Sequence, residues 1–237
     1  MSAAVVGDNA VAAWKAGCHM VLAAPGAKIR NLITEIEKPT LTNPDWLRNY
    51  DPMSVGADDR LSVAAKVLFP AFPRKNGETR EQYYSHWAAV LRRGRKTGRL
   101  HSSWGSTYFE RLLTLDGSDN QIERAIHVLT TWQRKETAIV MHLSAPHVDK
   151  LKPIGSPCLQ FAEILWSGDD TIDLVALYRN HDFLKKALGN FIGLGRLLAF
   201  IASESNKNDL LPDLPSLIRR ICSSFAPPWG VLRTRLV

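Results

Sequence analysis

PCLQFAEILWSGDDTIDLVALYRNHDFLKKALGNFIGLGRLLAFIA, residues 157–202, is the stretch on which the fold of this chain is read. Residues 158–166 and 171–178 read as two strands, and Ser167-Gly168-Asp169-Asp170 supplies the turn chemistry that joins them as a hairpin. The second strand runs into Arg179-Asn180-His181-Asp182. A helix follows, with Leu184, Ala187, Leu188, Phe191, Leu194, Leu198 and Ile201 on or near one face. Its glycines Gly189, Gly193 and Gly195 each cost about 1 kcal/mol relative to alanine, so close packing must offset them. They do not follow a strand in the spacing of a dinucleotide-binding loop. One hairpin and one helix start thus bring a thiol (Cys158), a guanidinium (Arg179), a carboxylate (Asp182) and an amide (Asn190) together.

Working outward, residues 9–24 carry Val11, Trp14, Cys18, Val21 and Leu22 at helical spacing, and Pro25-Gly26 ends the run. Leu32, Thr34 and Ile36 predict a short strand closed by Pro39, and 39–59 reads as a long loop or cap. Thr79 and Gln82 fit a capping box ahead of a helix with Tyr83, Trp87, Val90 and Leu91 on one face. Ser118 or Asp119 is positioned to cap another helix, with Ile122, Ala125, Ile126, Leu129 and Trp132 inward, ending near Gln133. Residues 138–143 read as a buried strand. From Asn206 onward the chain shows no strong periodicity until 217–222.

At 237 residues, 45% apolar and 22% charged, the sequence predicts one α/β domain over 1–237. Lys185, Lys186, Arg196 and prolines break the apolar runs short of a bilayer span, so no membrane partner is expected. Cys18, Cys158 and Cys222 are odd in number and widely spaced, which fits neither a zinc site nor a disulfide framework and suits a reducing cytoplasm. No metal is expected. The net charge of +7 suggests an anionic partner. Arg92, Arg93, Arg95, Lys96 and Arg99 form the densest basic run, which reads either as a solvated helix end that suits the dipole or as an anion-binding loop.

Read as Pro157-Cys158, Tyr178-Arg179-Asn180-His181-Asp182 and Leu188-Gly189-Asn190, the segment resembles the nucleotide-binding core of the thymidylate synthase family, which includes the pyrimidine-nucleotide hydroxymethylases. Trp104-Gly105 with Tyr108, Arg111 and Gln121 is similar to a further family region, so the resemblance covers about 104–202. It implies a large mixed, twisted sheet packed on helices, with a homodimer formed through the sheet face. It also implies a cysteine nucleophile at Cys158 that adds to pyrimidine C6, activating C5 toward a one-carbon unit. Arg179 and Asn180 would then hold the nucleotide phosphate, with Arg179 also lowering the thiol pKa. Asn190 would read the base, tilting choice toward uracil. Asp182 and Trp104 would meet the donor, 5,10-methylenetetrahydrofolate.

Three departures accompany the matches. The family's arginine pair is displaced at Arg134-Lys135-Glu136, where Glu136 would repel a phosphate. Its catalytic glutamate should fall near 61–69, where only Leu-Ser-Val-Ala-Ala-Lys-Val-Leu-Phe stands; Asp58 and Asp59 are out of register. Its sugar-binding His-x-Tyr should fall near 223–229, which reads Ser-Ser-Phe-Ala-Pro-Pro-Trp. Three functions therefore stay open: a pyrimidine-nucleotide C5 methyl- or hydroxymethyltransferase, an inactive nucleotide-binding or scaffold protein, and a basic nucleic-acid-binding protein. His181 beside Asp182 is not expected to form a catalytic dyad, since neighbours on a strand face opposite ways.

Overall fold

The computed structural model describes residues 2–41, 61–70, 74–100, 105–131, 137–149, 155–166, 171–205 and 218–225. The long loop and the turn at 167–170 lie outside them, as do Asp58, Asp59, Trp104, Trp132, 134–136 and 226–237. A mixed six-stranded sheet runs in the order β1-β2-β6-β5-β4-β3. Its strands are β1 (Ser2–Gly7), β2 (Asn31–Ile36), β3 (Thr137–His142), β4 (Leu159–Trp166), β5 (Ile172–Tyr178) and β6 (Ile218–Phe225). β1 and β2 pair in parallel, as do β5 and β6, while β2–β6, β3–β4 and β4–β5 are antiparallel.

The hairpin, the strands at 32–36 and 138–143 and the helix at 9–24 stand where the patterns predict them. Two strands do not follow from the patterns. β1 is an alanine-rich run without strong strand propensity. β6 carries its apolar residues Ile218, Ile221, Cys222 and Phe225 at intervals of three and four, a helical spacing, yet it lies between β2 and β5 and joins the two halves of the sheet. Long-range pairing overrides the local pattern there.

Helix α1 (Ala10–Ala23) packs on β1 and β2. Asn9 caps it, accepting from the amides of Val11 and Ala12 at 3.1 and 3.0 Å. Further helices are α2 (Leu61–Leu68), α3 (Arg80–Lys96), α4 (Tyr108–Leu113), α5 (Gln121–Thr131) and α6 (Leu188–Ser205). The Thr79–Gln82 capping box is present on α3. The cap of α5 is Asn120 and neither Ser118 nor Asp119: its Oδ1 accepts from the amides of Ile122 and Glu123. A π-helical turn, Phe183–Ala187, leads into α6.

Helix α6 covers β5 and β6 and is buried along nearly all of its length. With the turn before it, it is long and apolar enough to span a membrane, but 89% of that window is buried inside the fold. Against its outer side lie α2 and an aromatic cluster in which Phe69, Tyr83 and Phe200 stack or tilt with centroids 5.2–6.1 Å apart. The glycines make that packing possible. A Cβ on Gly193 would come within 2.8 Å of Leu68 Cβ, and one on Gly195 within 2.3 Å of the Pro39 carbonyl oxygen.

Among the described residues the opposite face of the sheet is the more exposed one. Alternation places Val6, Ile33, Val140, Phe161, Leu165, Val175 and Leu177 there, with Val6, Ile33 and Val140 exposed and the others half-buried. Glu163 and Asp173 share that side by the same registers.

Gly195→Ala is expected to cost about 1–3 kcal/mol in urea unfolding, because overpacking against a backbone carbonyl outweighs the roughly 1 kcal/mol gained in helix propensity. An unchanged or raised midpoint contradicts this packing.

Candidate active site

Gly155, at φ +88°, turns the chain into Ser156-Pro157-Cys158 at the mouth of β4. The antiparallel register pairs Leu159 with Tyr178, so Cys158 lies beside Arg179 at the end of β5. The Arg179 amide donates to the Cys158 carbonyl at 2.8 Å. Its guanidinium reaches back over the same turn, Nε donating to the Pro157 carbonyl at 2.9 Å and Nη2 to that of Ser156 at 3.0 Å. These bonds use one edge of the fork and leave Nη1 without a protein acceptor among the described residues.

On the other side, the Tyr108 hydroxyl accepts from the amides of Cys158 and Leu159 at 3.1 and 3.2 Å. Tyr108 opens α4, whose Arg111 is almost wholly buried and forms a two-pronged ion pair with Asp149 at 2.8 and 2.6 Å. Arg111 also donates to the Leu143 carbonyl, and Gln121 bridges the Arg111 carbonyl to the backbone of His142. The family-like residues Tyr108, Arg111 and Gln121 thus form a frame around the turn that carries the thiol. Asp149, the counter-ion of that frame, has no signal of its own in the sequence.

Cys158 is half-buried, and its thiol is pushed above the ordinary value: burial outweighs the Arg179 charge, which pulls it down, and Asp182 adds to the upward push. The expectation that Arg179 yields a lowered thiol pKa is therefore corrected, because desolvation is the larger effect. Cys18, on α1, also feels Asp182, and burial carries its thiol to about 12. Asp182 caps the π turn, one carboxylate oxygen accepting from the Lys185 amide at 3.1 Å. Asn180 is exposed.

Asn190 is buried, and its Nδ2 lies 2.8 Å from Nε2 of His181. The His181 ring stacks on Tyr178 at 4.1 Å and 2°, with Phe183 and Phe191 edge-on at 5.9 and 6.0 Å. Burial drives its pKa down to about 3, so the ring is neutral. His181 therefore turns into the aromatic core toward Asn190, away from any dyad with Asp182. Tyr178 is also buried, and its hydroxyl has no hydrogen-bond partner among the described residues.

Two clefts of about 990 and 940 Å³ lie elsewhere. The first is walled by Arg74, Arg80, Glu123 and Glu204, which pair among themselves. The second follows β3 and α5. In the basic run of α3, Arg95 is tied to Glu110 and the Gly105 carbonyl, while Arg92, Arg93, Lys96 and Arg99 are exposed. Among the described residues no three His, Cys, Asp or Glu side chains gather to hold a metal.

A curated protein of Methanococcoides burtonii named "Putative thymidylate synthase" is 34% identical over 110 residues, 46% of this chain and 48% of that protein. Over those residues this chain is similar to a protein of that name. The match spans about half the length of that relative. No protein-family model matches the chain. The solved thymidylate synthase from T4 phage is 13% identical, with a TM-score of 0.47 over 84% of this chain and 66% of that one. Of the residues expected at the site, the structure brings Cys158, Arg179 and Asp182 together and sets Asn190 against His181, while Trp104 lies outside the described residues.

The neutral, buried His181 sets a pH dependence. Its pKa falls from an ordinary 6.5 to about 3, so below pH 6.5 the unfolded chain takes up a proton that the folded chain refuses. Stability is therefore lost as pH falls from 6.5 toward 3, by at most about 1.4 kcal/mol per pH unit from this group. Urea midpoints of the wild type should fall more steeply over that window than those of His181→Phe; parallel profiles contradict a buried neutral His181.

Proposed function

We propose that this chain is a pyrimidine-nucleotide C5 methyl- or hydroxymethyltransferase with Cys158 as nucleophile. The observation that carries the reading is the arrangement of Arg179: one edge of its guanidinium fastens the turn bearing Cys158, its charge acts on that thiol, and Nη1 has no acceptor among the described residues and is left to pair with a phosphate oxygen. Asn180, exposed next to it, adds an amide donor for the same phosphate. Asn190 faces the base. Cys158 sulfur adds as thiolate to C6, the electron pair moves through C5–C6 toward O4, and C5 becomes the nucleophile. C5 then bonds to the one-carbon unit, with loss of the C5 proton and departure of the donor nitrogen; hydride from the reduced donor (methyl product) or water (hydroxymethyl product) adds to that carbon, and expulsion of the sulfur restores the C5–C6 double bond and the enzyme.

The residues present fit a pterin donor at one point: the second carboxylate oxygen of Asp182, half-exposed and outside the cap, can accept a pterin N–H. When bound, 5,10-methylenetetrahydrofolate supplies the electrophilic one-carbon unit. Asp182 orients it, and Arg179 and Tyr108 keep the Cys158 turn in place. A thiol raised at rest becomes nucleophilic only as its proton is drawn off in the assembled complex. We assign the more exposed sheet face to a second copy of the chain, because Val6, Ile33 and Val140 there are exposed apolar side chains beside half-buried Phe161, Leu165, Val175 and Leu177.

A second reading, nucleotide binding without turnover, is favoured by α2. This helix lies where the family's catalytic glutamate is expected, and it carries no carboxylate. The absence removes a general acid–base contribution typically worth about 10²- to 10⁴-fold. Incubation with 5-fluoro-dUMP and methylenetetrahydrofolate followed by intact mass separates the two. The transferase reading predicts a covalent adduct that Cys158→Ala abolishes; dUMP binding with no adduct gives the second reading. Sedimentation should show a dimer, and Leu177→Asp a monomer. A monomeric wild type contradicts the sheet-face assignment.

A further inference from the structure

Between Glu81 and Glu110 the sequence holds no aspartate or glutamate, yet it places five cations in the eight positions from Arg92 to Arg99. The run lies on the second half of α3 and the turn after it, outside the residues that carry the family resemblance. Arg95 turns inward to Glu110 and the Gly105 carbonyl and ties this end of the helix to α4. Arg92, Arg93, Lys96 and Arg99 are exposed, and none of their side chains forms an ion pair or hydrogen bond among the described residues.

Closing the helix does not require these side chains. The carbonyls of Arg93, Gly94 and Arg95 accept from the amides of Thr97, Leu100 and Gly98 at 3.0, 3.0 and 3.1 Å, and the Thr97 hydroxyl donates to the first two as well. Gly98, at φ +69°, lets the chain turn back for that cap. The macrodipole favours cations only in the last turn; Arg92 lies before that turn and Arg99 beyond the helix. Arg92 with Lys96, and Arg93 with Lys96, are like-charge neighbours at four and three positions, each mildly destabilising to the helix. Four cations thus repel one another at the surface with no counter-charge among the described residues.

We propose that this ridge binds the phosphate backbone of a polynucleotide. Arg92 and Lys96 stand about 6 Å apart along the helix axis, so neighbouring phosphates of one strand can each meet a cation. Three of the four are arginines, whose planar fork takes two phosphate oxygens at once. Contacts of this kind position a strand by charge, release its counterions and read no sequence. An acidic protein is the poorer fit: among the described residues on this face the exposed apolar side chains are Ala89 and Val90, too little for the apolar core of a protein interface. The ridge takes no part in the transferase reading.

The test is fluorescence anisotropy of the full chain with a labelled oligouridylate and with a labelled DNA duplex, from about 50 to about 200 mM salt. Four phosphate contacts predict a log–log salt slope of about −3 for the single strand and about −4 for the duplex, so oligouridylate affinity should fall about 50-fold over that range. The wild-type slope reads the ridge without a variant that must fold. R92Q/R93Q/K96Q/R99Q should bind about tenfold or more weakly at the lower salt, with a slope near zero. K15Q/K28Q/R30Q/K75Q removes four positive charges elsewhere and should bind like the wild type. Binding of either probe with these slopes supports the ridge, and the tighter probe identifies the strand form. No binding at the lower salt, a wild-type slope shallower than about −1, or an equal loss in both quadruple variants overturns the proposal. Poly-aspartate competing as well as unlabelled oligouridylate overturns the phosphate assignment in favour of an acidic protein.

Discussion

The Arg179 guanidinium, reaching back across the hairpin mouth to the carbonyls of Pro157 and Ser156, is the contact on which the site depends. It fixes the turn that presents Cys158, and it does so with a charge that also acts on the thiol. Tyr108 closes the same turn from the helical side through two backbone amides. Behind Tyr108 stands the buried Arg111–Asp149 pair, which is costly to desolvate and strongly destabilising to break by removing one partner. The position of one sulfur is therefore determined by two arginines, one tyrosine and the hairpin register.

Electrostatics at this site is a contest between burial and charge. Arg179 favours the thiolate, while desolvation and Asp182 favour the thiol, and the thiol wins at rest. The same low-dielectric surroundings keep His181 neutral, and among the described residues the Tyr178 hydroxyl has no partner.

The hairpin, α1, β2 and the capping box of α3 were legible because each is written in local terms: alternation, turn residues, a cap and a helical face. β6 was not, since Ile218, Ile221, Cys222 and Phe225 follow a helical spacing and only pairing with β2 and β5 makes the segment a strand. Cys158, Arg179 and Asp182 were readable as neighbours because one hairpin register brings them together. The Asn190–His181 contact spans the π turn, whose backbone geometry no propensity announces. Asp149 and the raised thiol depend on burial, which sequence spacing does not express.

The claim that Cys158 lines a nucleotide site beside Arg179 is tested most directly by peptide-mapped alkylation with iodoacetamide, with and without saturating dUMP. Protection confined to Cys158, with Cys18 labelled at the same slow rate in both conditions, is the predicted result. Equal labelling of Cys158 with and without dUMP would contradict it.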